Sequence, residues 1–283
     1  MRLVAKHALK LLLTLTLGGF LAATLVRFAP GFGTDVAQID FRLNNQSIEA
    51  LRQPKESLGA FYLHYCERLL HGDFGMSRTL QRPVAELIEE RMPETLKSVG
   101  LGLLLAWLAG LSLASMGIMS RSAAFDTAAG IFCGALLCIP AAVVAILFVL
   151  ARAPERLVLA VVVFPQIYRY ARNLMLRSLN QPHVLTARAK GLGNLRVLLW
   201  HVFPPAAPQL LAVAGVSASL AFTAAIPTEA LCDLPGIGQL AWKAALGRDL
   251  YLLVTLTVLV TAVTLIANST CELLGNMFGA RQV

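Results

Sequence analysis

The sequence predicts an all-α, polytopic membrane protein with six transmembrane helices and both termini in the cytoplasm. Hydrophobic residues make up 57% of the 283 residues and charged residues only 14%, whereas a soluble domain carries about 25% charged residues. The apolar residues also fall into long runs, several near the ~20 residues that a helix needs to cross ~30 Å of hydrocarbon. This composition indicates that lipid surrounds most of the chain.

The apolar runs define the six predicted spans. The first run lies between Lys10 and Arg27, whose side chains can reach the two interfaces. We expect this span to remain uncleaved, because the run is long and no small-residue cleavage site follows it. Pro140 interrupts the third run, and arginines follow the apolar part of the fourth. The predicted bounds are about 9–28, then 95–116, 127–150, 157–176, 206–226 and 250–274.

Three connecting segments carry most of the polar residues. Residues 30–93 form a predicted extracytoplasmic segment, and residues 177–205 form a basic cytoplasmic loop. Residues 227–249 form an outer loop in which Pro235, Gly236 and Gly238 suit a tight turn and Trp242 suits an interface. This outer loop is either a small lid or docking element or a simple connector, because turn residues mark any loop.

The distribution of charge predicts the orientation of the chain. The formal net charge of +8 could by itself indicate a nucleic-acid partner. However, the segments that we place inside hold eleven basic residues against Asp126 and Glu272, whereas residues 30–97 hold eight bases against ten acids. This alternation follows the positive-inside rule of membrane topology, so we expect contact with membrane lipid and none with nucleic acid. The eleven basic residues are Arg2, Lys6, Lys10, Arg121, Arg169, Arg172, Arg177, Arg188, Lys190, Arg196 and Arg281.

The chain lacks the common motifs of catalysis and energy coupling. It has no G-x-x-x-x-G-K-[ST] phosphate loop, no G-x-G-x-x-G fingerprint, no H-E-x-x-H and no G-x-S-x-G elbow. No predicted span carries a row of acids or histidines like the proton relays of pumps and secondary transporters. We therefore expect no catalytic residue, no metal site and no cofactor in this chain. Energy for uphill transport would come from a partner.

The histidines and cysteines do not form a recognisable site. A metal site needs three or more converging ligands, and the only histidines near each other in the sequence are His64 and His71. The five cysteines lack metal-ligand or redox spacing. Cys66 and Cys232 both fall on the outer side of this topology, so an oxidising compartment would permit a disulfide between them. The sequence alone does not decide whether that disulfide forms.

The most informative stretch lies in the cytoplasmic loop 177–205. Pro182 can begin a short helix in its first turn, and Gly191 permits a sharp change of direction where that helix ends. The small side chains of Ala187 and Ala189 allow another surface to approach closely. Residue chemistry alone does not distinguish a docking helix from a basic membrane-proximal loop without a partner.

This loop resembles the cytoplasmic signature of binding-protein-dependent ABC importer permeases. That signature has Glu-Ala-Ala, a glycine four residues after the second alanine, and Leu-Pro farther on. Ala187, Gly191 and Phe203-Pro204 occupy those positions, while Leu185 and Thr186 replace the usual Glu and first Ala. The variant Thr-Ala-Arg-Ala-Lys-Gly-Leu is that of the dipeptide, oligopeptide and nickel permease family.

Two other stretches resemble the same family, so that the resemblance runs from about Gly72 to Leu274. Residues 72–96 resemble the segment ahead of its second span. Glu229, residues 234–238 and Arg248-Asp249 resemble the loop between its last two spans. The chain departs from the family in a shorter first outer segment and in a C-terminus that lacks the usual Asp-Pro-Arg.

The resemblance implies a type I ABC importer permease fold in the bacterial inner membrane. It implies transport of peptides or a similar small solute, driven by ATP hydrolysis in partner subunits that bind the ATP and Mg²⁺. The implied partners are ABC ATPase subunits, a second homologous permease (usually a different chain) and an extracytoplasmic solute-binding protein. The residues implied to couple to the ATPase are Thr186, Ala187, Arg188, Ala189, Lys190, Gly191, Phe203 and Pro204. The residues implied to contact the binding protein are Glu229, Pro235, Gly236, Gly238 and Asp249.

Two other functional classes remain as alternatives. An ion-coupled secondary transporter would not need a cytoplasmic docking helix and usually carries intramembrane charges. A membrane scaffold without transport would leave the three ordered motifs as a coincidence. The residues that line a substrate pathway are not identifiable from the sequence.

Overall fold

The computed structural model describes residues 2–28, 58–120 and 122–280, so that residues 30–57 of the predicted outer segment lie outside the described part. Apart from one isolated bridge between Met76 and Pro83, the described residues form helices joined by turns. The predicted all-α class is confirmed. The helices are α1 (Arg2–Phe28), α2 (Leu58–Leu70), α3 (Val84–Ser120), α4 (Ala123–Leu137), α5 (Ala141–Leu150), α6 (Val158–Leu179), α7 (Pro182–Ala189), α8 (Asn194–Val197), α9 (Phe203–Leu231), α10 (Ile237–Leu246) and α11 (Leu250–Ala280), with a 3-10 turn at Glu155–Leu157 and a π-helical turn at Leu198–Val202.

Several of these helices have the length and hydropathy of membrane spans. Three of the described helices could cross a bilayer: Val84–Ser120, Leu250–Phe278 and the continuous stretch Asn194–Leu231, which contains α8, the π-helical turn and α9. The pair α4 and α5 makes a fourth if it is one span, and α1 carries a shorter apolar stretch at Leu12–Leu25. The count of six spans and the predicted bounds stay predictions.

The third predicted span is not one continuous helix. Helix α4 ends at Leu137, α5 begins at Ala141, and the two are bent by 93°. Pro140, which interrupts the third apolar run, lies at the N-cap of α5 with a φ of −59° and a ψ of 143°. Proline lacks an N–H donor and disfavours the helical conformation of the residue before it, so the chain breaks here.

The described residues form two compact units. The first contains residues up to Arg91 together with Leu240–Ala262. Its core is Ala23, Tyr65 and Val254, from α1, α2 and α11. Helix α1 approaches α2 and α11 closely at Gly19. A Cβ atom at this position would lie 2.6 Å from the Tyr62 hydroxyl and 2.9 Å from Cγ2 of Val258. Glycine at this position therefore allows these helices to pack.

The second unit contains Met92–Gln239 and the residues from Val263 onward. Helix α6 has buried residues from its first turn to its last, and it packs against small residues of α3. A Cβ atom on Gly102 would lie 2.7 Å from Cβ of Leu159, and one on Gly110 would lie 2.8 Å from Cγ2 of Ile167. Small residues at four-residue intervals allow helices in a membrane to approach closely, which makes α6 the scaffold for the loop that follows it.

Candidate functional site

The predicted short helix in loop 177–205 is present as α7, and glycine ends it. The N–H of Gly191 donates to the carbonyl of Arg188 across 2.9 Å, and the N–H of Leu192 donates to the carbonyl of Ala187 across 3.3 Å. This pair of bonds is the Schellman motif, which needs a left-handed residue at the first position after the helix cap. Gly191 has a φ of +79°. The predicted sharp change of direction at Gly191 is therefore confirmed.

Helix α7 has one buried face and one exposed face. Val184 and Ala187 are 0% and 3% exposed and lie in a core cluster with Met175 of α6 and Val202. A contact of Ala187 with an ATPase subunit stays a prediction, and in this structure the side chain does not face outward. Its small side chain instead allows α7 to approach the rest of its own chain. The exposed residues of α7 and its C-terminal turn are Pro182, His183, Leu185, Thr186, Ala189, Lys190 and Gly191.

Arg188 lies between these two faces of α7. It lines a narrow cleft of about 10 Å³ together with Ile118, Leu179 and Val197. Its Nε atom is buried and has no hydrogen-bond partner among the described residues. Arg188 is therefore packed against the ends of α3 and α6, whereas Lys190 is exposed to whatever approaches α7 from outside.

Phe203 and Pro204 begin α9, as the predicted restart of the chain requires. Proline is tolerated in the first turn of a helix, where its missing N–H would have no helical partner. Phe203 is half-buried against the core cluster that holds Ala187. It also lines an apolar groove of about 490 Å³ with Trp107, Leu210 and Phe278. Phe203 thus packs inside its own chain.

A buried carboxylate organises the outer end of α9. Glu229 is 1% exposed, and its Oε2 atom accepts hydrogen bonds from the N–H of Gly238 (2.7 Å) and the hydroxyl of Thr95 (3.1 Å). The Ser98 hydroxyl lies 3.4 Å from Oε1, and the Thr95 oxygen accepts a 2.7 Å bond from the N–H of Ile237. A buried charge is tolerated only when it is hydrogen-bonded. This network joins the ends of α9 and α10 to α3.

The same carboxylate explains two of the predicted turn glycines. A Cβ atom on Gly236 would overlap the carboxylate of Glu229. A Cβ atom on Gly238 would lie 2.6 Å from Cα of Ile226 and 2.9 Å from the carbonyl oxygen of Ala225. Both glycines are therefore needed for a close approach, and Gly238 meets backbone atoms that cannot move aside easily.

Asp249 has a comparable interior role in the first compact unit. Its Oδ1 atom accepts a 3.2 Å hydrogen bond from the N–H of Leu252, which caps the first turn of α11. Its Oδ2 atom accepts hydrogen bonds from the Ser77 hydroxyl (2.7 Å) and the Thr79 N–H (3.1 Å). Asp249 therefore ties the segment after α2 to the start of α11.

Four of the residues predicted to contact a binding protein lie inside this chain. Glu229, Gly236, Gly238 and Asp249 are all buried, and their contact with a binding protein stays a prediction. They shape the loop from within. Pro235 is exposed, and a contact at Pro235 stays a prediction.

An ion pair joins the last turn of α2 to the segment that follows it. Nη2 of Arg68 lies 2.7 Å from Oδ2 of Asp73, and the N–H of Gly75 donates to Oδ1 of Asp73 across 2.9 Å. The Gly75 N–H, and after it the Arg68 guanidinium, hold the pKa of Asp73 below its usual value. Because both charged side chains are about half exposed, this pair orders the turn more than it stabilises the fold.

Sequence reasoning missed the partners of the predicted residues. Thr95 and Ser98 are hydroxyl residues inside the second predicted span, and Ser77 stands in a loop. Ser178 and His183, which bond the π-helical turn, were also missed. A hydroxyl residue in the sequence is only a weak indication of a buried hydrogen bond. The role of the first three hydroxyls becomes clear once the structure shows that they donate to the carboxylates of Glu229 and Asp249.

Within ranges 2–28, 58–120 and 122–280, no three His, Cys, Asp or Glu side chains converge as a metal site requires. Neither Cys66 nor Cys232 takes part in a disulfide bond in this structure.

Comparison with known proteins places this geometry in context. Residues 102–282 match the family described as binding-protein-dependent transport system inner membrane component. The oligopeptide transport system permease protein OppB of Salmonella typhimurium is 28% identical over 285 residues, which cover 93% of this chain and 92% of that protein. OppB of Escherichia coli K12 is 30% identical over 238 residues, which cover 76% and 78%. OppB of Haemophilus influenzae is 26% identical over 297 residues, which cover 97% and 96%.

Proposed function

The chain belongs to the family of binding-protein-dependent transport system inner membrane components, and we propose that it is the permease subunit of an ATP-driven importer of peptides or similar small solutes. It is a multi-pass inner-membrane protein. Its family is one of transport permeases and not of catalytic subunits. Peptide is the proposed substrate class because relatives that align with most of this chain are named oligopeptide permeases.

The single observation that carries the proposal is the two-faced geometry of α7. A helix of eight residues is too short to be stable alone in water, so its buried face, with Val184 and Ala187, fixes it on the second compact unit. The opposite face, with Leu185 62% exposed, is available for a partner. In this proposal an ATPase subunit, which binds the ATP and Mg²⁺, docks on that face.

Coupling then follows from how α7 is held. Closure of two ATPase subunits would displace α7, and the helices packed on it would move as a body. Two paired permeases would thereby alternate between inward-facing and outward-facing states around a central pathway. A solute-binding protein would deliver the substrate to the outer face, where Pro235 is exposed.

Affinity purification tests whether α7 binds an ATPase. The tagged chain is isolated from its native membrane in mild detergent, and the co-eluting proteins are identified by mass spectrometry. We expect an ATPase with a phosphate-binding loop and a second permease to co-elute. Ala189→Trp places a large side chain on the exposed face of α7, and we expect it to remove the ATPase.

Ala245→Trp is the matched control, because Ala245 is an exposed alanine of the short helix α10 in the outer loop. It should retain the ATPase at the wild-type ratio. Equal retention of the ATPase by wild type and Ala189→Trp, at equal abundance in the membrane, would contradict the docking site.

A further inference from the structure

A hydrogen bond connects α7 directly to the base of α9. The Nε2 atom of His183 in α7 lies 2.9 Å from the carbonyl oxygen of His201 in the π-helical turn. A carbonyl oxygen can only accept a hydrogen bond, so the Nε2 atom of His183 carries the proton and donates it. The bond is directional, and it joins two elements that are separate in the sequence.

Proline explains why the carbonyl of His201 is available. An α-helix would pair this carbonyl with the N–H of residue 205, but Pro205 has no N–H. The turn is also widened, because the N–H of Phe203 donates to the carbonyl of Leu198, five residues back. Such π-helical turns are rare and often mark functional positions. Here the turn presents a backbone acceptor to the side chain of His183.

The neighbouring carbonyl is bound by a different helix. The hydroxyl of Ser178, in the last turn of α6, donates to the carbonyl of Val202 across 2.8 Å, and this bond is buried. Two consecutive carbonyls at the base of α9 are therefore held from two sides. Ser178 fixes the turn to the scaffold helix α6, whereas His183 fixes it to α7.

The covalent route between α7 and α9 is less direct. It passes through residues 190–193, a turn that contains Gly191 and Gly193 and in which Leu192 packs against the core cluster. Val184 and Val202 also share the core cluster, but apolar contacts have no direction. The bond from His183 therefore adds a directional link between α7 and the base of α9.

We propose that His183 is a positioning residue for energy coupling: its bond to the His201 carbonyl transmits the displacement of α7 to α9. This inference rests on the proposed function, because it assumes that an ATPase moves α7. His183 does not contact the substrate or the nucleotide. Without the bond, α7 moves but α9 follows it less completely, so ATP is hydrolysed with less solute transported.

The test uses the complete complex of permeases, ATPases and binding protein in liposomes. Peptide uptake and ATP hydrolysis are measured in the same vesicles for wild type, His183→Ala, His183→Gln and Ser178→Ala. We expect His183→Ala to assemble normally and to lower the peptide transported per ATP by about three- to tenfold, the effect of one hydrogen bond on an equilibrium. Glutamine can place an amide N–H near the position of Nε2, so His183→Gln should recover most of the ratio.

Ser178→Ala separates coupling from simple stability. We expect it to lower the melting temperature of the complex while the ratio of uptake to ATP hydrolysis stays at the wild-type value. An equal loss of the ratio in Ser178→Ala would overturn the assignment to His183, because the turn as a whole would then be responsible. If His183→Ala lowers assembly, then His183→Phe and His183→Gln, which both fill the space of the ring, provide the same comparison.

The remaining outcomes distinguish the inference from the proposed function. If the wild type shows ATP-dependent uptake and His183→Ala transports as much peptide per ATP as the wild type, the inference alone is overturned. If His183→Gln and His183→Ala transport the same amount of peptide per ATP, the role of His183 as a hydrogen-bond donor is overturned. Absence of ATP-dependent uptake by the assembled wild-type complex would overturn the proposed function and the inference with it.

Discussion

The N–H of Gly238 donates a 2.7 Å hydrogen bond to Oε2 of Glu229, so the outer ends of α9 and α10 are joined by a buried carboxylate. This relationship changes the meaning of the family motif in the outer loop. The motif residues Glu229, Gly236 and Gly238 are buried, and they define the shape of the loop. Pro235, which they hold in place, is exposed.

Gly238→Ala should destabilise the protein by about 1–3 kcal/mol, the usual cost of inserting a methyl group into a packed site. The new Cβ atom would lie 2.6 Å from Cα of Ile226, and a backbone atom cannot move aside without a shift of the helix. The measurement is denaturant unfolding of the purified chain in detergent. Pro235→Ala is the neighbouring control, because Pro235 is exposed, and equal stability of the two variants would refute this explanation.

Glu229→Leu should destabilise the protein more than Glu229→Gln. Leucine leaves the N–H of Gly238 and the hydroxyl of Thr95 without their acceptor, and each buried unsatisfied group costs about 1–3 kcal/mol. Glutamine keeps one carbonyl oxygen that can accept from Gly238. Thermal unfolding of the two variants checks the order, and a leucine variant as stable as wild type would rule out the network as a stabilising feature.

Some of these features could be predicted from the sequence because they depend on local chemistry. Pro182 begins a helix and Gly191 ends it whatever the rest of the chain does. The burial of Glu229 could not be predicted, because its partners Thr95 and Ser98 lie 134 and 131 residues away in the sequence. The inward direction of Ala187 was missed for a similar reason. Which face of a short helix is buried depends on the helices beside it, and the sequence does not show them.

Ala187→Leu should lower the stability of the protein, whereas Ala189→Leu should lower its binding of the ATPase. Ala187 is 3% exposed, so a larger side chain overpacks the core cluster and should cost about 1–3 kcal/mol of stability. Ala189 is exposed, so its variant should fold normally and bind less ATPase. The two measurements are unfolding in detergent and recovery of the ATPase with the purified chain. Normal stability of Ala187→Leu together with loss of the ATPase would contradict this interior role and support the prediction that Ala187 is a contact residue.

Gly191→Ala should cost about 1–2 kcal/mol, the usual penalty for an L-residue in the left-handed region. The φ of Gly191 is +79°, and a Cβ atom there would meet nothing within 4 Å, so the cost comes from the backbone and not from a clash. Gly191→Asn should cost less, because asparagine tolerates this conformation better. Unfolding measurements on both variants test the order, and an alanine variant at least as stable as the asparagine variant would contradict it.

The most direct test of the central claim is the energy source of uptake. The chain, its co-purified ATPase and second permease, and the binding protein are reconstituted in liposomes, and entry of a labelled oligopeptide is followed with ATP, without ATP and with an imposed proton gradient. The account predicts uptake only when ATP, the ATPase and the binding protein are all present. Uptake by this chain alone, driven by the proton gradient without ATP, would contradict it and identify a secondary transporter instead.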